Sequence, residues 1–388
     1  MRLLIYEDRV KSLLSENVQQ GKSVFEINDG KEIPEGRKSD CIIIREVLKK
    51  NEDIEGLLES TRRLCQPDSK VVLICTNPVW NVVSGSRKRN WLSKRILENL
   101  FYLKGFRVIK HAYYLPLPWD FPLSEGLNSL LERIPVIKEF GYIQLYVLET
   151  EKMPKPGNFS VSVVIPCHNE EANIRRCIES VPKFGKMTEI IVVDDGSTDR
   201  TSEIVRKILP EKKKLKLVSY QPNMGKGEAV RRGFQEAKGD VLMILDADMT
   251  VSPEMLPRFL IPLANGKARF VNGTRMVYPL EEQAMRPLHI VGNHIFSIVF
   301  TWLLGQHVSD TLCGTKALFR KDLGAIPLIE TSWPDFDLLF GAAKQNFRIV
   351  EVPVKYHARS AGKSKMKTFK HGFLLLRMCL KGLKDMKL

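Results

Sequence analysis

The stretch Val241-Leu242-Met243-Ile244-Leu245-Asp246-Ala247-Asp248 decides how this chain is read. Five consecutive apolar residues suit a short strand buried on both faces, as in the middle of a parallel sheet. Two carboxylates at its carboxyl end are costly to bury without partners. They need a cation, and the carboxyl edge of an open α/β sheet is where a ligand brings one. Side chains two residues apart on extended backbone point the same way, so Asp246 and Asp248 are placed to face one divalent ion carrying a diphosphate.

Two upstream segments repeat the pattern. Val161 to Ile165 runs into Pro166-Cys167-His168-Asn169-Glu170-Glu171, and Glu189 to Val193 runs into Asp194-Asp195-Gly196-Ser197-Thr198-Asp199. A helical pattern follows each, Ala172 to Ser180 and Thr201 to Leu209. Strand, loop and helix in repetition predict a parallel sheet with its loops gathered at one rim. Asn223-Met224-Gly225-Lys226-Gly227 then opens another helix, where backbone N–H groups, the helix dipole and the Lys226 ammonium converge on an anion. The spacing of a P-loop is absent, which removes the main support for an ATPase.

In this order the segments resemble a family 2 glycosyltransferase with the GT-A fold, over about Ser160 to Lys367, and within it the dolichyl-phosphate mannose synthase group. Val271-Asn272-Gly273-Thr274-Arg275, the segment Ser309 to Arg320, Asp335-Phe336-Asp337-Leu338-Leu339, and Arg359-Ser360-Ala361-Gly362-Lys363-Ser364-Lys365 carry the finer likeness. The resemblance implies that Pro166, Glu170 and Asp195 line the nucleoside pocket, with Asp194 among the nucleotide-sugar contacts. It implies that Asp246 approaches the ribose or the metal and that Asp248 binds Mg²⁺ or Mn²⁺ bridging the diphosphate, whose oxygens Lys226, Arg359, Ser364 and Lys365 also meet. Arg275, Lys316 and Arg320 would hold the phosphate of the acceptor. The chain departs from the family at Thr250, where Gln is common, at Cys167-His168, and at Lys316, where Arg is usual.

Breaking a sugar–diphosphate bond leaves negative charge on the departing nucleotide, so a metal and fixed cations are wanted beside it. A phosphate-monoester acceptor is already anionic at neutral pH and needs no general base, whereas a hydroxyl does. The expected reaction is a single in-line displacement with inversion, moving a hexose from a GDP-mannose or UDP-glucose type donor to a polyprenyl phosphate, with Asp248 at its centre. For a hydroxyl acceptor on a glycan or lipid, Asp337 is the expected base and Asp310 the next. A third reading keeps the fold as a non-catalytic sugar-nucleotide sensor.

The apolar stretch Leu288 to Leu304 carries His289, Asn293 and His294 and is shorter than the roughly 20 residues a spanning helix needs, so it is not expected to cross a membrane. From Arg359 to Leu388 nine Lys or Arg stand against one acidic residue, with Phe369, Phe373, Leu374, Leu376, Met378 and Leu380 beside them. Such a basic amphipathic segment reads as a binder of anionic lipid. The net charge of +15 also permits nucleic acid, but no aromatic-rich basic platform accompanies it, and a membrane partner is preferred. Seven scattered cysteines without a Cys-x-x-Cys pair fit a reducing compartment, and the amino terminus is too short in apolar length for a signal peptide. The expected location is cytoplasmic, peripheral at the inner face of the membrane; the sequence is silent on oligomeric state.

The segment 151–159, rich in charge, Pro and Gly, predicts a linker between a domain at 1–150 and the transferase domain at 160–388. In the first domain, Asp40 to Ile44 and Lys70 to Cys75 read as strands, Ile54 to Leu64 and Trp91 to Leu103 as helices, and Phe106 to Ile109 with Tyr142 to Leu148 as an antiparallel end of the same sheet. Ser39 to Leu48, Leu64 to Ile74 and Leu103 to Phe106 resemble the second half of a class I S-adenosylmethionine-dependent methyltransferase, over about Val24 to Leu148. No Gly-x-Gly precedes Val24, so the expectation is a partial Rossmann-like domain that does not methylate.

Overall fold

The computed structural model describes residues 4–18, 22–27, 38–80, 90–119, 121–279, 287–329, 334–357, 377–380 and 382–384. The chain divides into two compact units, Met1–Met153 and Pro154–Leu388.

In the first unit α1 (Leu4–Asn17) precedes β1 (Val24–Ile27) and β2 (Ser39–Arg45). There follow α2 (Ile54–Leu64), β3 (Cys65–Thr76), α3 (Lys94–Leu103), β4 (Phe106–Tyr114), two short helices α4 (Ser124–Leu131) and α5 (Pro135–Lys138), and β5 (Ile143–Thr150). The sheet order is β1-β2-β3-β5-β4, with the first three strands parallel and β5 antiparallel to both its neighbours. Helix α2 starts where the Asp53 carboxylate accepts the Gly56 N–H, a side-chain cap for an otherwise unpaired donor. Helix α1 adds to the elements expected from the sequence. Its buried Tyr6, Val10 and Leu13 recur at helical spacing among charged residues and pack with Val72, Ile74, Ile143 and Leu145 of the sheet.

The second unit begins with β6 (Ser160–Cys167), α6 (Ile174–Ser180), β7 (Met187–Asp195), α7 (Thr201–Ile208) and β8 (Leu215–Tyr220). It continues with α8 (Lys226–Glu236), β9 (Val241–Ile244), α9 (Leu256–Ala264), β10 (Phe270–Thr274), α10 (Pro287–Leu304), β11 (Lys316–Phe319), α11 (Pro334–Lys344) and β12 (Ile349–Pro353). The sheet order is β12-β10-β11-β9-β6-β7-β8. The expected parallel sheet holds for β9, β6, β7 and β8. It fails at β11, which enters between β9 and β10 and runs antiparallel to both, so the sheet is mixed. The core under α8, α10 and α11 joins Val164, Ile191, Leu242 and Ile244 to Phe234, Phe300, Phe336 and Phe340. Among the described residues no helix is long and apolar enough to cross a membrane. Most of the basic carboxyl-terminal segment lies outside the described residues.

Candidate active site

The carboxyl ends of β6, β7 and β9 and the start of α8 enclose a cavity of about 410 Å³. Its walls are Pro166, Cys167, His168 and Glu170 after β6, Asp195 at the end of β7, Asn223, Gly225, Lys226 and Ala229 around the start of α8, and Asp246, Ala247 and Asp248 after β9. Six of the residues singled out from the sequence, Pro166, Glu170, Asp195, Lys226, Asp246 and Asp248, therefore meet in one place.

Asp195 organises the floor. Its carboxylate accepts the backbone N–H groups of Met224, at 2.7 Å, and Gly225, at 2.8 Å, which fixes the turn leading into α8. Its carbonyl accepts His168 Nδ1–H at 2.8 Å and Asn223 Nδ2 at 2.9 Å. His168, one of the departures from the family pattern, is thus bonded to the end of β7 and forms part of the cavity wall. Asp194, the adjacent residue on the strand, faces the other way, as strand alternation requires. Its carboxylate accepts Ser197 N–H and the hydroxyls of Ser202 and Ser219, so it holds the loop after β7 and is absent from the cavity wall.

Lys226, the first residue of α8, places its ammonium 2.6 Å from Asp246 Oδ1. Burial works against that charge, but Asp246, Asp335 and Asp248 outweigh it and hold the Lys226 pKa well above its ordinary value. Asp248 Oδ1 accepts the N–H of Thr250 at 3.2 Å and its hydroxyl at 2.7 Å. Thr250, which stands where Gln is common in the family, orients the Asp248 carboxylate. Gly314 closes the other side of Asp246, where a Cβ would collide with the Asp246 carboxylate and the Lys226 ammonium. A larger residue there would push both side chains aside.

Two hard carboxylates at the lip of a cavity fit Mg²⁺ or Mn²⁺, which such sites hold through one or two carboxylates together with ligand phosphates. Among the described residues no group of three acidic, His or Cys side chains is placed to hold a metal ion. Asp246 and Asp248 would hold it, with Lys226 sharing Asp246.

Several expectations need correction. Lys316, expected to grip an acceptor phosphate, is fully buried. Its ammonium donates to Asn272 Oδ1 at 2.9 Å and to the Cys313 carbonyl at 2.6 Å, and lies 3.2 Å from Asp335 Oδ1. The reason is that β11 is a central strand, so a cation there is bonded inside the fold. Arg275 is also inside, donating from Nε and Nη2 to the two oxygens of Asp310 at 2.6 and 2.8 Å. Asp310 is unsuited as a base: burial would raise its pKa, but Arg275 and the N–H groups of Arg275 and Leu312 hold it below the usual carboxylate range. Arg320 is exposed at the opposite rim, bonded to the carbonyls of Gly239 and Asp240 just before β9. Asp337 is buried in the first turn of α11 and accepts the Ile329 N–H at 2.6 Å. Arg359, Ser364 and Lys365 lie outside the described residues. Asp335, given no role from the sequence, acts on both Lys316 and Lys226.

The chain belongs to glycosyl transferase family 2, whose signature spans residues 162–324. A dolichyl-phosphate hexose transferase of Haloferax volcanii is 31% identical over 224 residues, covering 57% of this chain and 94% of that protein. A low-salt glycan biosynthesis hexosyltransferase of the same organism is 30% identical over 227 residues, 57% of this chain and 53% of that one. The dolichol-phosphate mannosyltransferase of Pyrococcus furiosus is 29% identical over 215 residues, 53% of this chain and 59% of that one. The chain thus spans little more than half the length of the last two. Among solved structures, glucosyl-3-phosphoglycerate synthase from Mycobacterium tuberculosis aligns with a TM-score of 0.46 and 24% identity, over 59% of this chain and 81% of that one.

Proposed function

We propose that this protein transfers a hexose from a nucleotide sugar of the GDP-mannose or UDP-glucose type to a polyprenyl phosphate. The observation that carries this reading is the pairing of Asp246 and Asp248 with Lys226 at the rim of one cavity, beside the turn clamped by Asp195. The relatives named for dolichyl-phosphate substrates supply the acceptor class. Asp195 and the turn it fixes would seat the nucleoside; Lys226, at a helix start, would meet the diphosphate. A bound Mg²⁺ or Mn²⁺ would neutralise the charge that develops on the leaving nucleotide.

Lys316 and Arg275 are engaged in the interior, and Arg359, Ser364 and Lys365 would meet the oxygens of the donor's diphosphate. Attack by an acceptor that is already ionised proceeds in line and inverts the anomeric centre. Determining the anomeric configuration of the product tests this, and a retained configuration contradicts it. For a hydroxyl acceptor Asp337, at the start of α11, is the base; Asp337→Asn then abolishes transfer, whereas a phosphate acceptor leaves it nearly intact.

For the first unit we infer a methyltransferase-type half-domain without methyl transfer. The order β2-β3-β5-β4, with its antiparallel closing strands, supports that reading. Calorimetric titration with S-adenosylmethionine is expected to show no binding, and micromolar affinity would overturn it. The basic carboxyl-terminal segment is assigned to anionic lipid at the cytoplasmic membrane face.

A further inference from the structure

Glu351 on β12 is buried and forms no part of the cavity wall, yet the 309–315 segment, whose Gly314 abuts Asp246 and Lys226, is tied to it. Its carboxylate accepts Ser309 N–H at 2.8 Å, Ser309 Oγ–H at 2.7 Å, Asp310 N–H at 3.2 Å and Asn272 Nδ2–H at 3.1 Å. Asn272 is its register partner on β10 and donates a second bond to the Asp310 carbonyl at 2.7 Å. From there the segment is held almost residue by residue. The Asp310 carboxylate takes Leu312 N–H and the Arg275 guanidinium, the Cys313 carbonyl takes the Lys316 ammonium, and the Thr315 carbonyl takes Gly273 N–H. Between those last two ties lies Gly314, pressed against Asp246 and Lys226.

We infer that Glu351 is a positioning residue for this site: its buried carboxylate sets the 309–315 segment, and through Gly314 the room left at Asp246 for the donor's diphosphate. The inference rests on the reading of the cavity as a nucleotide-sugar site. Four donors aimed at two oxygens favour the ionised carboxylate. Burial opposes it, as does the charge of Asp310, and the balance places the Glu351 pKa at about 7. The charged groups around it are Asp310, its partner Arg275 at the end of β10, and Lys316 on β11, itself paired with Asp335 on α11. On protonation one donor must turn away. The Ser309 hydroxyl has an alternative partner in Thr274 Oγ1 at 2.7 Å, which lets it become an acceptor. Only the ionised carboxylate accepts all four bonds, so the segment is held most tightly in that state, and site performance is expected to fall as pH drops through about 7.

The test uses the full chain, with Glu351→Gln as a mimic of the protonated state and Ser309→Ala as a milder second variant. Hydrogen–deuterium exchange read across 309–315, corrected for intrinsic rates, needs no activity. We expect about tenfold faster exchange in Glu351→Gln at pH 8, an intermediate rise in Ser309→Ala, and a similar loosening of the wild type at pH 6. Kinetically, Glu351→Gln is expected to raise the donor KM about tenfold and to lose the limb near pH 7 that the wild type shows in kcat/KM. Unchanged exchange in both variants, or a pH limb retained in Glu351→Gln, overturns the inference. If the wild type neither binds nor turns over a nucleotide sugar, the proposed function falls, while the exchange arm still decides whether Glu351 holds the segment.

Discussion

Asp195 places both carboxylate oxygens on consecutive backbone N–H groups, a geometry that fixes a turn and leaves its shape sensitive to one side chain. Asp195→Ala is expected to weaken nucleotide-sugar affinity at least tenfold, about 1.4 kcal/mol, in a titration, because the Met224–Gly225 turn loses its anchor. Asp310→Asn acts differently, since it leaves the buried Arg275 guanidinium uncompensated. The cost of such a change is about 3–5 kcal/mol, read as a fall of roughly 10 °C in Tm. Residues at strand ends were legible in the sequence because an acidic pair after an apolar run has few places to go, and Asp246, Asp248 and Asp195 do reach the cavity. The fates of Lys316 and Arg275 were not. Their burial depends on Asn272, Asp335 and Asp310, partners 19 to 44 residues away that no local pattern announces.

At the scale of elements, the repeated strand–loop–helix units were plain from the alternation of apolar runs and turn residues, and the register of β6, β7 and β9 aligns their acidic loops. The reversed strand β11 was invisible, because four residues carry no mark of direction and their neighbours β9 and β10 are set by tertiary packing. Helix α8 packs on the sheet through Gly233, where a Cβ would run into Val164 Cγ1. Gly233→Ala is expected to destabilise the unit by about 1–3 kcal/mol in urea unfolding, through overpacking. Gly314→Ala meets only the Asp246 and Lys226 side-chain ends within the cavity. It should leave Tm within a few degrees and abolish donor binding, a contrast that calorimetric titration of the two variants would register.

For the whole molecule, the two compact units at Met1–Met153 and Pro154–Leu388 are expected to give two unfolding transitions. A ligand that binds only the native cavity raises only the transition of the unit that owns it, so a nucleotide sugar with Mn²⁺ should shift the second unit and leave the first in place. The central claim is that Asp246 and Asp248 hold the diphosphate of an activated sugar through a divalent ion. Its most direct test is calorimetric titration of UDP-glucose and GDP-mannose, with and without Mn²⁺, into the wild type and Asp248→Asn. One donor is expected to bind with the metal and to lose at least tenfold in affinity, about 1.4 kcal/mol, when either the metal or the carboxylate is removed. Equal binding with and without Mn²⁺, or equal binding to Asp248→Asn, would contradict it.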